Sequence, residues 1–205
     1  RERRSPVIDL NNIENGGGSD FDLIPEGTIA RAIIKIQPNP VTIPEFSNTP
    51  IFRASQTTSA KWLEIEYTII GGQFDKRKFW TNHFFDGDAK DDNGVSKSKK
   101  IGLQWLKAVV ESHNDVSATD ASAQAQAVRQ IDMQRGGVAT INGMNVCVKI
   151  GIEKSNNPQY ADQNKCRVVM TQGMEGYIPS GGGSAPVTPS PAPTNNGNAV
   201  PSWAK

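Results

Sequence analysis

The sequence predicts a mainly β domain with a helical insertion, flanked by two tails. Three observations carry this. Apolar and other residues alternate through 28–36 and 61–70, the period of a strand with one buried face. Ile101, Trp105, Leu106, Val109 and Val110 then recur at helical spacing. Two more strand-like segments, 146–153 and 166–171, follow that helix.

Residues 1–21 read as a flexible leader ending in Gly16-Gly17-Gly18-Ser19. Pro25-Glu26-Gly27 is turn chemistry. In the strand that follows, Ala30, Ala32, Ile34 and Ile36 share one side, and Ile29, Arg31, Ile33 and Lys35 the other. The proline-rich stretch 38–50 cannot lie inside a central strand, and 52–57 suits a short edge piece. In 61–70, Leu63, Ile65, Tyr67 and Ile69 oppose Trp62, Glu64, Glu66 and Thr68. Gly71-Gly72-Gln73 closes a hairpin, and 76–85 returns. On this return Arg77, Phe79, Thr81, His83 and Phe85 oppose Lys78, Trp80, Asn82 and Phe84. Both sets hold aromatics, so the inward set stays ambiguous.

Ser96 or Ser98 caps the helix. A second helix is expected over 120–133, ended by Gly136-Gly137. The last two strands are joined by the polar loop from Asn156 to Asn164. Five short strands with a helical insertion between the third and fourth match a small closed barrel of the OB type. The barrel domain is expected over 22–178. Residues 179–205, rich in Gly, Pro and Ser, have a linker composition that buries no core.

The chain has 205 residues, 36% of them hydrophobic, with a mean hydropathy of -0.49. Formal net charge is +1, which argues weakly against a polyanion partner until its distribution is followed. Asp9, Glu14, Asp20, Asp22 and Glu26 precede the first strand with no base among them. Bases then outnumber acids, through Arg31, Lys35, Arg53, Lys61 and Lys76-Arg77-Lys78, and again through Lys97, Lys99, Lys100 and Lys107. Local field steers a charged ligand more than the total does. Apolar runs fall short of a membrane span, so a cytoplasmic protein without membrane association is expected. Its two cysteines, Cys147 and Cys166, are expected reduced on neighbouring strands.

Catalysis has little to work with. His83 and His113 stand in no recognisable motif, and His83 suits half-buried packing. No Cys and His pair has the close spacing of a zinc site. The loop Asp86 to Gly94 fails the calcium pattern, because the third ligand position falls on Lys90. It leaves only a weak nuclease alternative. No phosphate-gripping loop of the Walker type occurs. Neither enzyme activity, cofactor nor metal is expected.

The hairpin points to single-stranded nucleic acid, since cations attract phosphates and rings stack on unpaired bases. Candidate stacking groups are Trp62, Phe79, Trp80 and Tyr160. Candidate phosphate partners are Arg31, Lys35, Lys61, Lys76, Arg77, Lys78, Lys149, Lys154, Lys165 and Arg167. Trp203, in the apolar segment from Val200, is a candidate partner-binding residue. A barrel that binds another protein is the runner-up.

Leu23-Ile24-Pro25-Glu26-Gly27-Thr28-Ile29-Ala30-Arg31-Ala32 resembles the opening of a family of phage proteins, some of which bind single-stranded DNA. Lys61-Trp62-Leu63-Glu64-Ile65, Lys78-Phe79-Trp80-Thr81-Asn82, Ile101-Gly102-Leu103-Gln104-Trp105-Leu106-Lys107 and Val148-Lys149-Ile150-Gly151-Ile152-Glu153 extend the likeness. The Asn156-to-Lys165 loop also fits, so the likeness covers roughly 22–171. It implies an OB-fold protein coating single-stranded DNA in phage replication or recombination, in the host cytoplasm. It also puts the positions around Lys76 to Trp80 on the binding face. The tail departs from that of bacterial single-strand binders, because it has almost no acid and ends Trp203-Ala204-Lys205. That departure argues against recruitment of host repair enzymes, while replication or recombination proteins stay the candidate partners of the tail. The sequence leaves self-association open.

Overall fold

A computed structural model describes residues 22–181. Six antiparallel strands form one sheet: β1 (Ile29–Ile36), β2 (Arg53–Ala54), β3 (Lys61–Ile70), β4 (Lys78–Asp86), β5 (Asn145–Glu153) and β6 (Gln163–Met170). The order is β2-β3-β1-β5-β6, with β4 on the other edge of β3. β4 and β6 also approach each other, and the Cys166 N–H donates to Thr81 Oγ1 at 2.9 Å. The sixth strand is the two-residue β2, in the expected edge piece.

The alternation of β1 and β3 sets the core. Ala30, Ala32, Ile34 and Ile36 meet Leu63, Ile65, Tyr67 and Ile69, all buried, with Val146, Val148 and Ile150 of β5 completing the inner face. β4 resolves its ambiguity by putting Phe79 and Phe85 inside. Phe79 lies flat on Tyr67, with ring centroids 5.1 Å apart. The proline-rich connection closes one end of the core, where Phe46 and Phe52 pack edge-on against Phe85 at 5.1 and 5.5 Å.

α1 (Lys97–His113) starts at Ser96, whose side chain accepts from the Lys99 N–H. It buries Leu106, Val109 and Val110, while Ile101, at the front of the expected stripe, is 62% exposed. The helix lies against β4 at Gly102, where an added Cβ would sit 2.5 Å from the Phe84 carbonyl oxygen. The expected second helix shortens to α2 (Ala123–Val128). The segment beyond it turns through short 3₁₀ pieces around Gly136 and Gly137, with φ of 117° and 59°. A Cβ at Gly137 would meet the Phe46 carbonyl oxygen at 2.3 Å, so this close approach requires glycine.

Residues 172–180 cross the outer side of β1 and β5, covering Ile29, Cys147 and Met170 with Tyr177 and Ile178. Both cysteines are free. Cys147 stands opposite Met170 and Cys166 opposite Ile150, so the ladder does not pair them. Burial pushes the Cys166 thiol up to about 12 and raises that of Cys147 as well. Among the described residues no helix is long and apolar enough to cross a membrane.

Candidate nucleic-acid interface

Strand pairing arranges the outer face of β1, β3 and β4 in rows. Trp62 stands opposite Arg53 on one side and Phe84 on the other. Glu64 opposes Asn82, and Glu66 lies between Lys35 and Trp80. Thr68 lies between Ile33 and Lys78. Directly opposed residues share a face, so Trp62, Phe84 and Trp80 stand on one surface with Lys35, Arg53 and Lys78. Trp80 is 46% exposed and Phe84 42%. Trp62 and Phe84 are in ring contact, with centroids 5.6 Å apart.

The field here is mixed. Lys78 Nζ donates to Glu66 Oε1 at 2.7 Å, and Arg53 Nε lies 3.0 Å from Glu64 Oε2. The Lys78 hydrogen bond outweighs desolvation and holds the Glu66 carboxyl below its usual range. The two cations are half-exposed but Glu66 is buried, so a phosphate reaches Arg53 more cheaply than Lys78, whose loss would leave a buried carboxylate unpaired.

Beyond β4 the surface dips into a groove of about 450 Å³, where Asn82 and Phe84 face Lys165 and Arg167 of β6. Gly151 keeps its floor low under the Arg167 stem, 3.4 Å from where a Cβ would stand. Lys165 Nζ pairs with Glu153 at 3.2 Å. Tyr160, 67% exposed, and Lys154 lie on the adjoining loop, with Lys154 Nζ 3.5 Å from Asp162.

Two candidates belong to the interior. Phe79 cannot stack on a base, because it is buried against Tyr67. Arg31 cannot reach a phosphate, since its guanidinium is buried under residues 172–180. It donates to Asn145 Oδ1 at 2.8 Å, to the Asn145 carbonyl at 2.7 Å, and to the carbonyls of Ser112 and Ile178 at 3.3 and 3.2 Å. Others lie apart from the aromatic rows. Lys149 opposes Ile29 and Val168 on the far flank, and Lys61 pairs with Asp86 at 3.5 Å. Lys76 and Arg77 precede β4 in the turn rather than on it. Lys76 has φ 64°, and Arg77 donates to the Asp22 carbonyl at 2.7 Å. Trp203 lies outside the described residues.

Phe84 is the residue the nominations missed. It is two positions from Asn82 and four from Trp80, hence on their face, and the alternation of β4 was the signal. Arg53 was also passed over, because nothing local ties residue 53 to Trp62.

Beneath this face His83 stacks on Trp105, with centroids 4.1 Å apart and planes 18° from parallel. The Trp105 indole N–H donates to Tyr67 Oη at 3.2 Å, and Tyr67 Oη and His83 Nε2 share a hydrogen bond of 2.9 Å. Either tautomer of a neutral His83 satisfies this contact. Burial, aided by nearby Lys165, pushes its pKa down to about 3. Burial raises the Tyr67 hydroxyl well above its ordinary value. The network holds the inner side of β4 and leaves no titrating group aimed at a ligand.

The acidic loop satisfies its own turn. Asp91 Oδ1 accepts from the N–H groups of Asn93 and Val95 at 3.0 and 2.9 Å, and Asp88 accepts from Ser59 N–H at 3.2 Å. Among the described residues no group of three His, Cys, Asp or Glu side chains is placed to hold a metal ion. No family model matches the chain, and neither does any curated protein sequence at a significant level.

Proposed function

We propose that the chain is a sequence-tolerant single-stranded DNA-binding protein, with the outer face of β3 and β4 as its site. One observation carries the reading: Trp62, Phe84 and Trp80 share an exposed sheet face with Lys35, Arg53 and Lys78. Rings stack on bases of any identity, and the cations track phosphates. The groove with Lys165 and Arg167 would extend the path past β4. The strand order supports an OB-type barrel. β4-β3-β1-β5-β6 runs third, second, first, fourth, fifth once the two-residue β2 is set aside, with the helix between third and fourth. By the family resemblance, the setting is phage replication or recombination in the host cytoplasm, with the chain acting as a coat rather than a catalyst.

A protein partner is the second reading. Glu64 and Glu66 favour it, because they sit among the rings and repel phosphate.

Anisotropy on labelled oligonucleotides separates the two. Single strands are expected to bind more tightly than duplex. If three to five cations engage, log K should fall against log salt with a slope of about -2 to -3.5. Trp80→Ala and Phe84→Ala should each weaken binding by about 1–3 kcal/mol, roughly 5- to 150-fold. Absence of binding at low salt, or wild-type affinity in both variants, overturns the reading in favour of a protein partner.

A further inference from the structure

Between α1 and the segment after α2 lies an apolar groove of about 290 Å³. Leu103, Leu106 and Val110 of α1 face Ile131, Met133 and Val138 across it. It exists because α2 stops at Val128, where the alanine-rich sequence would have continued a covering helix. Leu106 and Val110 are buried at the base of the groove, and Leu103, 42% exposed, stands at its open rim.

The described chain ends beside this helix. Ser180 N–H donates to Asp115 Oδ1 at 2.9 Å, the Tyr177 hydroxyl donates to the same oxygen, and the Arg31 guanidinium holds the Ile178 carbonyl. Residue 180 is therefore anchored just past the C-terminal end of α1. At ~1.5 Å rise per residue, Leu103 is about 15–20 Å from that anchor along the helix.

We propose that the segment Val200-Pro201-Ser202-Trp203 of the same chain occupies this groove, its indole seated among Leu103, Leu106 and Ile131. Trp203 stands 22 positions after Gly181. A fully flexible chain of that length has a root-mean-square span of roughly 25 Å, and the five prolines in residues 182–203 extend it further, so the segment covers the distance required. Its effective concentration at the groove is on the order of mM. Docking within the chain therefore needs an intrinsic Kd of only about 1 mM. The sequence between is poor in large apolar groups, so Val200 to Trp203 is the segment suited to an apolar site. A seated Trp203 is withheld from other proteins until one competes for it. The inference is independent of what the β3–β4 face binds.

The test uses the full chain with 5-fluorotryptophan at its 4 tryptophans, the Trp203 signal being assigned by Trp203→Phe. In dilute wild type the Trp203 fluorine resonance should stand away from the free-indole position. Leu103→Glu should remove that shift entirely, while the Trp62 and Trp80 signals stay in place and report an intact fold. Leu103→Gln provides the same reading if Leu103→Glu unfolds. A free-indole position in wild type overturns the proposal. So does a shift that groove substitution leaves unchanged, or one that vanishes on dilution together with a doubled mass, which would assign the groove to a second copy.

Discussion

Protonation of His83 should cost this fold stability in a pH range set by its burial. The ring is stacked on Trp105, its Nε2 shares a hydrogen bond with the Tyr67 hydroxyl, and its pKa is pushed from 6.5 to about 3. The unfolded chain therefore takes up this proton first as pH falls. The contribution of a neutral His83 is complete above pH 6.5, declines below it, and is gone below about 3. The slope approaches ~1.4 kcal/mol per pH unit, and about 3 kcal/mol is lost by pH 4.5. Urea unfolding at pH steps between 7.5 and 4.5 measures this directly. His83→Gln removes the titration, so its stability should change over that range by about 3 kcal/mol less than wild type, whatever constant offset it carries. Every other titrating group is common to both proteins and drops out of the difference. Parallel curves would refute the assignment of a neutral, buried imidazole.

Two further outcomes separate structural from surface groups. Phe79→Ala should lose about 3–5 kcal/mol by opening a cavity under Tyr67, whereas Trp80→Ala should change stability by less than about 1 kcal/mol. Denaturant midpoints of the two variants check this. Arg31→Met should cost at least about 2 kcal/mol, because the carbonyls of Ser112, Ile178 and Asn145 lose a buried donor. The oligonucleotide affinity of its folded fraction should equal that of wild type, read by anisotropy below the unfolding temperature. A weakened affinity would return Arg31 to the binding face.

The strands were legible because period-two alternation is a local property, and β1, β3 and β5 follow it with few exceptions. The Ser96 cap and the Leu106–Val109–Val110 stripe were equally local. Where the reading went wrong, the cause was tertiary. Arg31 lies on the outward set of β1, and nothing near it in sequence announces that residues 172–180 will cover that set. β4 carries aromatics on both faces, so only its pairing with β3 separates Phe79 from Trp80. Lys76 and Arg77 were counted on the strand, but a longer turn with Gly71, Gly72 and Lys76 at positive φ takes them off it. The alanine-rich stretch has strong helix propensity, yet Asp132 accepts from the Gln134 N–H and helps nucleate a 3₁₀ turn instead. The proline-rich connection lies outside the central strands, as its prolines require, but the burial of Phe46 and Phe52 depends on Phe85, far along the chain. The site suffered in the same way. Its aromatic members were nominated one by one, while the ion pairs of Lys78 and Lys165 with Glu66 and Glu153 appear only when strands meet.

The central claim is that an unpaired strand lies across Trp62, Phe84 and Trp80. Photocrosslinking of an iodouracil-substituted oligonucleotide, followed by peptide mapping, tests it with the native chain. The account predicts adducts on peptides of β3 and β4, at Trp62, Trp80 or Phe84, and their loss in competition with unlabelled single strand. Adducts confined to Lys149 and the far flank of β5, or none under conditions where binding is measured, would contradict it.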